Sequence, residues 1–201
     1  MHVLIINGSP RVKEYSNTDK ILEMFTKGLC EDGNTFEQYE VSDVKQWEKM
    51  REAYYNNNKM IIALPLYVEC IPGLLMEFLE TLKPKNDGTG IAFILQSGFA
   101  EGIQLRCGEA YLEILAGKLG CEYLGTLVKG DNFSIRFFEG GQRDRITEPY
   151  TEMGREFSKN GDFKSEACKR FTGPEVFPAH IRFIVGVLQK TLAKKMFSKI
   201  A

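Results

Sequence analysis

The chain has 201 residues, 43% hydrophobic and 26% charged, with a formal net charge of −1. That length supplies one well-packed domain plus an appendage, and the near-neutral balance gives no global attraction to nucleic acid, so no nucleic-acid partner is expected. No apolar run is long enough to span a bilayer, and the start Met1-His2-Val3 is neither a signal nor a transit peptide. The cysteines (Cys30, Cys70, Cys107, Cys121, Cys168) are scattered and form no CxxC pair, so a cytoplasmic protein with no disulfide framework and no bound metal is expected.

Residues 2–7, with Val3-Leu4-Ile5-Ile6, read as a first strand whose continuous aliphatic run predicts burial on both faces, as in a parallel sheet. It runs into Asn7-Gly8-Ser9-Pro10-Arg11 and on to Ser16-Asn17-Thr18. This loop of small, hydroxylated and cationic residues opens a helix over 17–30, with Ser16 or Asn17 as cap and Ile21, Leu22, Phe25 and Leu29 at helical spacing. Backbone N–H groups at a helix start, with Ser, Thr and Arg beside them, build an anion site. Plain helix capping is the other reading of the same residues. After the Asp32-Gly33-Asn34 turn, residues 35–41 alternate as a more exposed second strand, 43–57 read as helix, and 59–64 as a third strand stopped by Pro65. Pro65 and Pro72 bracket a loop carrying Tyr67, Glu69 and Cys70, with Pro72 placed in the first turn of a helix over 73–83. A fourth strand, 90–96, leads into Ser97-Gly98-Phe99-Ala100-Glu101-Gly102, then a helix over 103–119 ended by Gly120, and a fifth strand over 121–129.

Residues 130–146 read as irregular; Phe133 to Phe138, with Arg136, Arg143 and Arg145 nearby, is either a lid or contact surface or a plain surface connection. Helices are expected over 147–160 and 163–171, then a break at Thr172-Gly173-Pro174. The tail predicts a helix over 179–200 with Ile181, Ile184, Val185, Leu188, Leu192 and Met196 on one stripe, and with Arg182, Lys190, Lys194, Lys195 and Lys199 as cations. That stripe needs a partner: its own domain, a second subunit or an anionic membrane surface. Five alternations of strand and helix predict an α/β three-layer sandwich with a parallel sheet and helices on both faces, and the flavodoxin-like strand order 2-1-3-4-5 is the one expected for it. The chain divides into a domain over 1–171 and a C-terminal helical extension over 172–201. In such a sheet the loops after strands one, three and four meet at one edge, where ligands bind.

Taken together, Gly8-Ser9-Pro10-Arg11 with Ser16-Asn17-Thr18, Pro65-Leu66-Tyr67 with Ile71-Pro72, and Ser97-Gly98 with Gly102 resemble the NAD(P)H-dependent FMN reductase family of the flavodoxin-like superfamily, over roughly residues 1–130. Neither a GxGxxG turn nor a GxxxxGK[ST] loop is present, which argues against dinucleotide and P-loop sites. The resemblance implies a flavodoxin-like fold, bound FMN and a homodimer or homotetramer. It implies that Ser9, Arg11, Ser16, Asn17 and Thr18 hold the FMN phosphate. Pro65, Leu66, Tyr67 and Val68 would line the isoalloxazine, and Gln96, Ser97, Gly98 and Gly102 would close its other side. Arg11 also has an outward reading, toward a nicotinamide cofactor's phosphate or a neighbouring subunit. The implied activity transfers hydride from NAD(P)H through flavin N5 to a small-molecule acceptor such as a quinone, nitro or azo compound, or free flavin. The flavin carries the chemistry, so no catalytic side chain is expected. An electron-carrier flavodoxin, or a flavin-binding sensor or scaffold with a partner-binding tail, is the alternative.

Overall fold

The computed structural model describes residues 1–184 and 186–187. Five strands, β1 (His2–Asn7), β2 (Thr35–Glu40), β3 (Lys59–Pro65), β4 (Gly90–Gln96) and β5 (Glu122–Lys129), form one parallel sheet in the order β2-β1-β3-β4-β5. The α-helices that flank it are α1 (Asn17–Cys30), α2 (Trp47–Asn56), α3 (Gly73–Glu80), α4 (Arg106–Lys118), α5 (Gly140–Thr147), α6 (Pro149–Asn160) and α7 (Glu166–Phe171). Alternate residues of β1 show why the strands are aliphatic throughout. Leu4 and Ile6 pack with α2, α3 and α4 on one face, while Val3 and Ile5 pack with α1, α6 and α7 on the other. The result is a three-layer α/β sandwich with one apolar core on each side of the sheet.

Several boundaries differ from the sequence expectation for local physical reasons. The helix expected over 43–57 begins as a 3-10 turn, Val44–Gln46, and becomes α-helical at Trp47, whose indole N–H donates to the Val41 carbonyl at 3.0 Å. Pro72 stands at the N-cap of α3 with extended backbone, one residue ahead of the first turn. That helix ends at Glu80, because the Thr81 hydroxyl donates back to the Phe78 carbonyl at 2.7 Å. The segment 130–146 is ordered as a 3-10 turn, Phe133–Phe137, followed by α5. Its glycines and lack of an apolar stripe hide both from a periodicity reading. In β5 an extra residue bulges opposite β4, between the pairs Ile91–Tyr123 and Phe93–Thr126. Gly125 there takes φ +96°, a conformation open to glycine.

After the Thr172-Gly173-Pro174 break the chain turns back along the loop that follows β4, and helical backbone resumes over 179–184 and 186–187. Of the predicted apolar stripe, Ile181 and Ile184 are described; Val185, Leu188, Leu192 and Met196 lie outside the described residues. No helix of the described residues is long and apolar enough to cross a membrane.

Candidate functional site

The loops at the carboxyl ends of β1, β3, β4 and β5 enclose a cleft of about 410 Å³. Its lining consists of Ser9, Arg11, Tyr15, Asn17, Thr18, Pro65, Leu66, Tyr67, Val68, Gln96, Ser97, Gly98, Phe99, Asn132, Phe133 and Arg136. Backbone hydrogen bonds lace these loops together. Gly8 N–H donates to Ala63 at 2.7 Å, and Leu66 N–H to Gln96 at 2.7 Å. Ser97 N–H donates to Lys129 at 3.1 Å, and Asn132 N–H to Ser97 at 3.0 Å. The cleft is therefore a fixed edge of the sheet, at the strand-order reversal where α/β folds bind ligands.

One end of the cleft gathers backbone N–H groups, buried hydroxyls and a cation. The Ser16 side chain accepts from Asp19 N–H at 3.1 Å and so caps α1. That leaves the first-turn N–H groups of Asn17 and Thr18 with no acceptor among the described residues. Ser9 and Thr18 are almost wholly buried, and Arg11, exposed and unpaired among the described residues, is the local cation. Ser9 is held by its own N–H donating to Asn7 Oδ1 at 3.1 Å, and its Oγ accepts from Arg11 N–H at 3.3 Å. Asn17 donates through Nδ2 to the Asn132 carbonyl at 2.9 Å, while its Oδ1 is buried and unpartnered. A buried acceptor of this kind in a cleft wall is satisfied by a donor from a ligand or by water.

The other end is walled by two loops and edged with apolar side chains. Pro65, Leu66, Tyr67 and Val68 follow β3, and Gln96, Ser97, Gly98 and Phe99 follow β4. Gln96 Nε2 donates to Thr18 Oγ1 at 3.3 Å, which joins this wall to α1. Tyr67 and Cys70 exchange backbone hydrogen bonds at 2.8 and 3.1 Å around a two-residue turn in which Val68 (φ 47°) and Glu69 (φ 67°) both have positive φ. That is the type I′ pattern, which favours Asn and Gly. Gly98 lets the fourth loop close in, since a Cβ there would sit 3.2 Å from Phe133 Cβ. Cys70 is exposed and outside the lining.

Eleven of the expected residues therefore come together in the lining, and two do not. Ser16 is wholly buried as the α1 cap, behind the residues it orders. Gly102 packs instead on the C-terminal segment: its N–H donates to Pro174 at 3.0 Å, and a Cβ would meet Glu175 and Thr172. Tyr15 and Asn132 join the lining without having been singled out; Phe99, which the sequence leaves as either a flavin or substrate stack or a loop anchor, and Phe133 and Arg136, left as lid, contact surface or plain connection, lie in it too. Asn132 is a junction, 3% exposed, taking the Tyr150 hydroxyl on Oδ1 at 3.1 Å and donating from Nδ2 to Lys129 at 2.9 Å. Burial drives the ionisation changes around the site. It raises the Asp19 carboxyl above its usual range, against the lowering effect of Lys13 and Lys20, and it lowers the Lys129 ammonium.

No protein-family model and no curated protein matches the chain. Solved structures do. The chain is similar to an NADH:FMN oxidoreductase in its apo form, at 16% identity and TM-score 0.59 over 86% of this chain and 96% of that one. It is also similar to an NAD(P)H:quinone oxidoreductase from Methanothermobacter marburgensis, at 18% identity and TM-score 0.56 over 81% and 99% of the two chains. An azoreductase from Bacillus anthracis aligns at 14% identity and TM-score 0.57 over 79% and 98%. At these identities the likeness establishes a flavodoxin-like α/β fold. The sheet order and the edge on which the cleft sits agree with it.

Proposed function

We propose that the protein is an FMN-dependent oxidoreductase of the NAD(P)H-dependent FMN reductase family, catalysing NAD(P)H + H⁺ + acceptor → NAD(P)⁺ + reduced acceptor. The observation that carries this reading is the cleft's two-ended chemistry. A helix start with free N–H groups, buried hydroxyls and a guanidinium lies beside a slot walled by two loops and edged with aromatics. FMN has that same division between dianionic phosphate and flat ring, and structural neighbours named as flavin and quinone oxidoreductases point the same way. When bound, FMN supplies two-electron transfer at N5 of its ring. Ser9, Arg11, Thr18 and the Asn17 and Thr18 N–H groups take the phosphate, and Asn17 Oδ1 accepts from the ribityl chain. Backbone of Pro65–Val68 and Gln96–Gly98 flanks the ring, while Phe99 and Phe133 shield it from water. No side chain need give or take a proton for hydride transfer itself. A homodimer or homotetramer, with a small quinone, nitro or azo compound or free flavin as acceptor, completes the proposal.

The test is spectroscopic. Titration of the apoprotein with FMN should produce a saturable shift in flavin absorbance, and anaerobic NADH or NADPH should bleach the complex without a partner reductase. A protein that takes up no FMN, or whose bound FMN neither nucleotide reduces, overturns the reading.

A further inference from the structure

The cleft lining contains no carboxylate and two guanidiniums, although the chain as a whole carries a net charge of −1. One of the two, Arg11, belongs to the anion end described above. The other, Arg136, stands on a different loop and is not used by that reading. Arg51, Arg106, Arg143 and Arg155 each pair with a carboxylate. Arg136, like Arg11, Arg145, Arg170 and Arg182, pairs with none among the described residues, and of these it is the one seated over aromatic rings. Two phenyl rings hold it instead: its guanidinium carbon lies 5.6 Å from the Phe133 ring centre and 5.3 Å from that of Phe137. The rings are themselves in edge contact at 5.2 Å. All three sit on the 3-10 turn Phe133–Phe137, whose buried Ile135 pins it to the core. Contact with ring faces fixes where the cation stands and leaves its N–H donors uncommitted. Phe133 and Phe137 are 56% and 63% exposed, an apolar surface that a planar partner would cover.

We propose that Arg136, seated on Phe133 and Phe137 at the cleft rim, binds the anionic group of a planar aromatic electron acceptor, so that the site prefers carboxylated or sulfonated aromatic acceptors to neutral ones of the same shape. This rests on the oxidoreductase reading, and it adds a substrate class to it. The same chemistry, an aromatic ring carrying an anion, also occurs in the phosphorylated adenosine of NADPH, so the experiment separates the two sources.

The holoenzyme is assayed with an azo dye that carries a ring carboxylate, methyl red, and with its neutral methyl ester. Binding of naphthalene-2-carboxylate and its neutral carboxamide is measured by calorimetry, which needs no turnover. The wild type should favour the anionic member of each pair. Arg136→Gln should lower both anionic-to-neutral ratios about tenfold or more, the size of one charge-assisted hydrogen bond, with the NADPH-to-NADH ratio unmoved, and Arg136→Lys should recover part of the loss. Equal ratios in wild type and Arg136→Gln overturn the proposal. So does a loss that falls on the NADPH-to-NADH ratio or on FMN affinity instead, since Arg136 then serves the donor or the flavin phosphate. If the protein neither binds FMN nor turns over, the oxidoreductase reading fails, and the calorimetric pair still decides whether Arg136 holds an aromatic anion.

Discussion

Val68 and Glu69 carry the most costly backbone in the site. Of the four non-glycine residues with positive φ among the described residues, Asn86 and Asp131 are of types that tolerate it. A β-branched valine at φ 47° does not, and its side chain is 76% exposed, so burial offers no compensation. The strain is retained where Tyr67 and Val68 form the cleft wall. Val68→Asn relieves it at the first central position of a type I′ turn and should stabilise the fold by about 1 kcal/mol. The measurement is the urea midpoint at unchanged slope; an unchanged or lower midpoint would show that the turn holds no such strain. At this scale the sequence was only partly legible. Ser9, Asn17 and Thr18 could be placed because strand, loop and helix start are local features. Tyr67-Val68-Glu69-Cys70 carries no turn residue, so its hairpin is invisible without the neighbouring loops. Asn132 looks like any loop asparagine until the Tyr150 hydroxyl and the Asn17 amide are seen converging on it.

Helix α1 presents the anion end of the cleft, and its position on the sheet depends on how closely it crosses α6. The two helices meet glycine to backbone. A Cβ on Gly28 would lie 1.9 Å from the Thr151 carbonyl oxygen, and one on Gly154 would lie 2.1 Å from the Phe25 carbonyl oxygen. Neither obstacle is a flexible side chain that can swing away. Beneath the crossing, Phe25, Phe157 and Phe163 pack ring against ring at 4.8 to 6.2 Å. Gly154→Ala must push the helices apart and loosen that cluster, costing about 2–3 kcal/mol. Gly117→Ala, in the exposed part of α4 with nothing within 4 Å, should instead gain up to about 1 kcal/mol. Opposite shifts of the two urea midpoints are the expected result, and a neutral Gly154→Ala would deny the close crossing. The strands were legible because aliphatic runs of parallel strands are conspicuous; their order was legible only through the flavodoxin-like likeness of the loops, since alternating connections admit other parallel orders. The helix crossing was not, because a glycine inside a helical pattern reads as a weak point until the partner backbone is seen against it. The 3-10 turn carrying Arg136 was hidden for another reason: five residues are too few for a helical period, and Ile135 is the one buried side chain in it.

Over the whole molecule, the division at residue 171 expected from the sequence meets a segment that ties back across it. Residues 174–177 strap the loop that follows β4. Pro174 and Glu175 carbonyls accept from Gly102 and Ile103 N–H at 3.0 and 3.1 Å, and Phe177 N–H donates to Glu101 Oε1 at 2.7 Å. Glu175 also takes a fork of hydrogen bonds from Arg106, at 2.7 Å to Nη2 and 3.0 Å to Nε, which holds its carboxyl below the ordinary range. The strapped loop is the one whose beginning, Ser97-Gly98-Phe99, walls the cleft, so order in the C-terminal segment passes to the site through a few backbone bonds. An exposed ion pair contributes only about 0–1 kcal/mol, so Glu175→Ala should hardly move global stability. Its effect belongs to local opening, where loss of the carboxylate fork loosens the two backbone hydrogen bonds beside it. Deuterium exchange at Gly102 and Ile103 should then quicken several-fold in Glu175→Ala, and further in a chain ending at Gly173; under the proposed function, FMN release should quicken in the same order. Exchange at those two amides that matches the wild type in both variants would mean that the loop stands without the strap, and that the C-terminal segment leans on the domain without ordering its site.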